Sequence, residues 1–206
     1  MVSDLHGRLP EIPECDVLLN CGDICPDLDM GGWDRGLMKM RQTEWLGDTY
    51  RAWEQTVPAK MIFAVPGNHD WVMSFPDCCR SQMFIDSGTT FEGKTFWFTP
   101  WVAHCGDWNY QANREQRRYY FDNIPHKLDM LVHHAPAFGV GDLTYSNEPA
   151  GCRELKAVIQ KRHPRYSCFG HIHEGVRAGR EYRLGGTKMF HASMWGAKWK
   201  PIVLDI

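Results

Sequence analysis

Residues 60–70 read KMIFAVPGNHD. The stretch 60–65 is short, apolar and rich in β-branched and aromatic side chains, which reads as a buried strand. Pro66 and Gly67 stop it, and the chain then delivers Asn68, His69 and Asp70 in succession. In open α/β sheets, ligand sites form just beyond the carboxyl ends of the strands. Three polar side chains at that place raise the question of whether other strands end in the same way.

They do. DVLLN (16–20) runs into Cys21-Gly22-Asp23, and LDMLVH (128–133) runs into His133-His134-Ala135-Pro136. YSCF (166–169) runs into Gly170-His171-Ile172-His173, and the opening Met1-Val2-Ser3 runs into Asp4-Leu5-His6. Glycine precedes the polar residue at Gly22, Gly67 and Gly170, where it lets the chain turn sharply off a strand. Taken singly these signals are weak. Asp-x-His fits a frayed terminus, Gly-Asp fits a plain turn, and only one of His133 and His134 need serve a function. Five strand ends in one chain predict a single site holding Asp4, His6, Asp23, Asn68, His134, His171 and His173. Carboxylate and amide oxygens with imidazole nitrogens, and no thiolate, suit manganese first, with iron, zinc, nickel or magnesium as the others. Seven ligands are too many for one ion with room for a substrate; they fit two ions sharing a carboxylate.

The remaining pattern predicts an α/β layered fold. KMFHAS (188–193) reads as another strand, and TTFEGKTFWF (89–98) as a hairpin turning at Glu92–Lys94. Leu46, Tyr50, Trp53 and Val57 form one helical stripe; Cys152, Leu155, Val158 and Ile159 form a second before Pro164. No repeat or long linker divides the chain, so residues 1–206 are expected to form one domain. With 23 basic and 25 acidic residues the net charge is -2, which argues against a nucleic-acid polymer as partner and for a small charged ligand. The basic clusters REQRRYY and KRHPRY read as solvated faces. Neither a long apolar run nor a signal peptide is visible, so no membrane association is expected. Eight cysteines without a disulfide pattern predict reduced thiols and a cytoplasmic location.

All these blocks, Asp-x-His, Gly-Asp, Gly-Asn-His-Asp, His-x-Pro and Gly-His-x-His, stand in the order of the calcineurin-like metallophosphoesterases, which the chain resembles over nearly its whole length. SDLHGR, TPW, GCRELKAVIQKRHPRYSCFGHIHEG and FHAS are similar to the small metallophosphoesterase-domain group known for cyclic nucleotide phosphodiesterase activity. The resemblance implies a four-layer αββα sandwich of two mixed sheets flanked by helices. It implies one ion held by Asp4, His6, Asp23 and His173 and another by Asp23, Asn68, His134 and His171, with Asp23 bridging. His134 is preferred to His133 because His134-Ala135-Pro136 matches His-x-Pro. The family has a longer first strand than Met1–Ser3; either the start lies further upstream or the strand is short, in which case Asp4 is held less rigidly. Where some animal members carry glycine, this chain keeps His171, which implies a more competent catalyst.

The implied activity is hydrolysis of a small phosphodiester, a cyclic nucleotide first, by a hydroxide on two cations about 3.5–4 Å apart. His69 is the expected general acid for the leaving alkoxide, with Asp70 orienting it, and Arg8 is a candidate phosphate clamp. Trp71, Trp101, Trp108 and Phe138 are candidate base-stacking surfaces, and His104, His133 and His191 candidate pocket residues; core packing is the competing role for each. A phosphomonoesterase and a nucleotide sensor with little turnover are the alternatives. Asp34-Arg35-Gly36 lies too far from Asp23 for the phosphoprotein phosphatase pattern.

Overall fold

The computed structural model describes residues 1–27, 34–196 and 200–206. Two sheets carry the fold. The smaller contains β1 (Cys15–Asn20), β2 (Ala59–Ala64) and β3 (Gln82–Met83), all paired in parallel. The larger contains β4 (Ser87–Phe91), β5 (Lys94–Thr99), β6 (Met130–His133), β7 (Tyr166–Phe169), β8 (Glu181–Leu184) and β9 (Thr187–His191). Its order is β4-β5-β6-β7-β9-β8, with β5, β6, β7 and β9 parallel and the two edge strands antiparallel.

Strand alternation explains the layering, because successive side chains point to opposite faces. From β1, Leu19 enters the core between the sheets while Leu18 faces outward; from β2, Phe63 points in and Ile62 out. In the larger sheet Met130, Val132, Cys168 and Phe190 meet that same central core, while Leu131, Phe169 and Met189 turn to the opposite face. That face is covered by α3 (Arg114–Asp122) and α4 (Arg153–Arg162), which contribute Phe121, Leu155, Val158 and Ile159. Residues 35–54 cover the smaller sheet as one continuous helical run: α1 (Arg35–Trp45), a π-helical turn (Leu46–Tyr50) and α2 (Arg51–Glu54), with Leu46 and Tyr50 buried against Ala64. The order is therefore helices, sheet, sheet, helices.

Several expectations shift in detail. The first helix begins at Arg35, capped by the Asp34 side chain, and ends before Val57, because a residue preceding proline is driven out of helical geometry. Asp34-Arg35-Gly36 is thus a helix start. Cys152 caps α4 and still packs in one core with Leu155, Val158 and Ile159. β8 carried no strand signal strong enough to be foreseen. Within REQRRYY, Arg114 and Arg117 hold Glu154 of α4 at 2.8 and 3.1 Å, so that cluster is partly a helix–helix clasp and not wholly a solvated face. The hairpin turns at Glu92-Gly93, both with positive φ, as a two-residue turn between β4 and β5 requires.

Met1–Ser3 stitches the layers together. Val2 bridges to Asn20 at the end of β1, and Ser3 to Ser193 beyond β9. Both main strand bundles therefore end around the same short segment, immediately before Asp4. Among the described residues no helix is long and apolar enough to cross a membrane.

Candidate metal centre

Every predicted ligand beyond the N-terminal segment lies where a parallel strand ends. Asp23 follows β1, Asn68 follows β2, His134 follows β6, and His171 and His173 follow β7. The turns that carry them are tight: Asp4, His6, Asp23 and His171 all have positive φ, between 44 and 72°. Such strain in non-glycine residues persists only where the surroundings over-determine it, typically at functional sites. The glycines beside them are needed for close approach. A Cβ at Gly67 would overlap Asp23 Oδ1, and one at Gly170 would overlap Ser3 Oγ and stand 2.7 Å from Asp4 Oδ2.

Among the described residues, three sets of side chains bring ligand atoms within 4.8 Å of one another: His6, Asp23 and His173; Asp23, His134 and His171; and His6, Asp27 and His69. The first two share Asp23. Asp4 adjoins the first set, its Oδ1 lying 3.9 Å from His173 Nε2, and Asn68 adjoins the second, its Oδ1 3.0 Å from His134 Nε2. All seven expected ligands therefore meet. Asp4 is buried and firmly held: its N–H donates to the Gly22 carbonyl at 2.9 Å, and its Oδ1 accepts from the His171 N–H at 3.0 Å. The short first strand does not loosen it.

The donor chemistry fits divalent cations. Asp4 Oδ2 is buried and has no hydrogen-bond partner among the described residues, a costly state for a carboxylate oxygen that a cation would relieve. His134 Nδ1 lies 2.8 Å from the Cys21 carbonyl, an arrangement that places the ring proton there and turns the Nε2 lone pair toward Asp23 and Asn68. His6 Nδ1 donates likewise to Asp27 Oδ2 at 3.1 Å, which leaves His6 Nε2 facing His173 Nε2 at 3.2 Å. Two imidazole lone pairs at that separation are suited to a shared cation.

The electrostatics agree. Burial would raise Asp23, yet His134 beside it holds the carboxyl well below the ordinary range. Burial pulls His134 down, but Asp23 outweighs it and keeps the imidazole up at about 9. Burial, reinforced by His134, pushes His171 down to about 3. Without metal a proton on His134 stands against the Asp23 carboxylate; a cation would displace it, so metal loading would release a proton.

Asp70, expected to orient His69, does not face it. Its carboxylate accepts from the backbone N–H groups of Ile24, Cys25 and Gly67 at 2.8–3.0 Å and ties the turn after β1 to the turn after β2. The carboxylate at His69 is Asp27, whose Oδ1 lies 2.6 Å from His69 Nδ1 while its Oδ2 reaches His6. Asp27 escaped the sequence reading because it follows Asp23 by four residues in a loop with no periodic signal. Gln42, buried on α1, was also missed: it donates to the His69 carbonyl at 2.8 Å and accepts from the Trp71 N–H at 2.7 Å.

The other candidates separate cleanly. His133 is buried away from the ligands, bonded to the Ala135 carbonyl and Ser167 Oγ at 2.6 Å each. His191 Nε2 braces the Ile172 carbonyl of the Gly-His-Ile-His turn at 3.0 Å. Trp71 is buried, Trp101 stacks on Tyr120, and Phe138 lies under Arg153. His104 is exposed and belongs to none of the three clusters. Trp108 does reach the site, stacked on His69 with ring centroids 3.8 Å apart. Trp195, which no motif marked, stacks on His173 at 4.5 Å. Arg8 stands over its indole.

Comparison with known proteins adds independent evidence. Residues 1–175 match the family model described as calcineurin-like phosphoesterase. The chain is 26% identical over 245 residues to human metallophosphoesterase domain-containing protein 1, an alignment covering all of this chain and 69% of that protein. It is 28% identical over 160 residues to the UPF0046 protein T07D4.2 of Caenorhabditis elegans, which covers 74% of this chain. The chain spans only 40% of the length of that worm protein. Two solved structures share the fold over 85% of the chain: one with a TM-score of 0.58 at 15% identity, and TT1561 of Thermus thermophilus with 0.52 at 12%. They cover 79% and 76% of those chains respectively.

Proposed function

The chain belongs to the calcineurin-like phosphoesterase family, and from that premise we propose that it is a two-metal phosphodiesterase acting on small diesters, cyclic nucleotides first. The observation that carries this reading is the pair of ligand clusters sharing Asp23, with the orphaned Asp4 oxygen beside one of them. Asp4, His6, Asp23 and His173 would hold one cation, and Asp23, Asn68, His134 and His171 the other, with manganese the first candidate. Bound there, the cations would supply charge neutralisation on phosphate oxygens and a water acidic enough to act near neutral pH.

The chain's own residues do the rest. His69 stands beside the ligands with a partly exposed ring, so its Nε2 can give a proton to a leaving alkoxide while Asp27 holds Nδ1. Asp27 orients the ring through Nδ1, and the Trp108 face limits its rotation. Asp70 acts one step back by setting the turn from which His69 projects. Arg8 supplies a planar donor fork suited to a phosphate. The partly exposed indole of Trp108 supports a planar base in the substrate, and the near-neutral charge supports a small substrate over a polymer. All eight cysteines are free, which supports a reducing, cytoplasmic setting.

The test is a panel of bis-p-nitrophenyl phosphate, 2′,3′- and 3′,5′-cyclic nucleotides and p-nitrophenyl phosphate, each with manganese, nickel, zinc and magnesium. Metal-stimulated cleavage of the diesters is expected. Preference for the monoester would correct the substrate class, and cleavage of none would overturn the reading in favour of a nucleotide sensor. His69→Asn and Asp27→Asn should keep their metals. Both should lose turnover on ribose esters, about 10²–10⁴-fold for His69, and lose much less on nitrophenyl esters, whose leaving group needs no proton. Equal losses on both would remove His69 from the acid role.

A further inference from the structure

The Arg8 side chain makes no hydrogen bond or ion pair among the described residues, although it is only two residues beyond the ligand His6. Its guanidinium lies over the Trp195 ring, 5.0 Å from the centroid. Trp195 in turn stacks on His173, with centroids 4.5 Å apart and planes 21° apart, and meets His6 edge-on at 5.1 Å. Both ends of this contact are fastened to the frame of the site. The Met194 N–H donates to the Ser3 carbonyl at 2.8 Å, the Trp195 N–H to Ser193 Oγ at 3.3 Å, and the Arg8 N–H to the Leu5 carbonyl at 2.9 Å.

We propose that Trp195 is a positioning residue for anion capture: its indole, packed on His173 and His6, holds the Arg8 guanidinium, and the pair forms the clamp for the phosphate group. The inference rests on the phosphoesterase reading for its substrate and assigns Trp195 a role that no sequence motif carries. The physical reason is pre-organisation. An exposed arginine ordinarily samples many rotamers and must be ordered when a ligand binds. A cation–π contact restrains the guanidinium plane without occupying any of its five N–H donors. Those donors stay available to two phosphate oxygens, which an arginine already engaged in a carboxylate pair could not offer.

The experiment uses the full chain loaded with manganese, with inorganic phosphate as the calorimetric probe and bis-p-nitrophenyl phosphate as the kinetic one. Trp195→Ala should weaken phosphate binding and raise KM by roughly two- to fivefold, the worth of such a contact, with kcat and metal content within twofold of the parent. Trp195→Phe should recover most of the loss. Arg8→Met should cost roughly tenfold or more, as a charge-assisted hydrogen bond implies. In the Arg8→Met background, Trp195→Ala should then cost nothing further, since a residue acting through another shows full coupling. Additive losses in the double variant, or loss of metal from Trp195→Ala, would overturn the proposal and make the indole a cover for the ligands. If the wild-type protein cleaves no ester, the phosphodiesterase reading alone fails, because the phosphate titration still reads the clamp.

Discussion

At the scale of single residues, the site is built from side chains whose hydrogen bonds are already assigned before any ligand arrives. His134 and His6 each spend Nδ1 on a fixed partner, so each presents Nε2 to the centre. The adjacent His133 shows how sharply neighbours can differ: one residue earlier in the chain, it is sealed between the Ala135 carbonyl and Ser167. Burial pushes its pKa down to about 4. A histidine whose pKa is depressed by folding contributes stability in full above pH 6.5 and loses it as pH falls toward about 4, because the unfolded chain takes up the proton first. The loss at the acid end is about 3 kcal/mol from this residue. Denaturant unfolding of metal-free protein at pH 7 and pH 4.5 should show a drop, and His133→Gln should shrink it by this residue's share, leaving the part that His171 and His191 contribute; an unchanged drop in that variant would place the titration elsewhere.

At the scale of elements, the decisive features are the turns after β1, β2 and β7, where strands give way to ligands within a few residues. The first two are packed against one another: Asp70 after β2 accepts from Ile24 and Cys25 after β1, and the His69 N–H donates to Asp23 Oδ1 at 2.8 Å. Gly67 sits at that junction with Asp23 pressed against it. Gly67→Ala should therefore push two ligand-bearing turns apart, with a destabilisation of about 1–3 kcal/mol from overpacking and a measurable drop in metal stoichiometry by elemental analysis. Retention of both metals at full stability would mean the turns can separate without disturbing the ligands. The helices illustrate a different rule. Val57 continues the apolar period of the run before it and is buried, yet Pro58 ends the helix first, so periodicity located the packing face better than the boundary.

At the scale of the whole molecule, the ligands come from the carboxyl ends of both sheets, with Met1–Ser3 joining the two. Metal binding should therefore act as a clip between layers. At a free metal concentration 100 times its dissociation constant, a site bound only in the folded state adds about 2.7 kcal/mol, so chelation should lower Tm by several degrees and manganese should restore it. A Tm indifferent to chelator would mean that the clusters hold no ion in the folded protein. The apolar alternation of the strands and the polar residues placed at their ends were determined by the sequence itself, because strand faces and glycine turns are local consequences of residue type. Hence the layered α/β class and the seven candidate ligands were legible in the sequence alone. Only the tertiary structure decided which carboxylate meets His69, that Gln42 braces its backbone, and that Trp195 carries Arg8. Those partners lie 42, 27 and 187 residues apart in the chain, and no local pattern encodes a contact made only when separate layers close over one another.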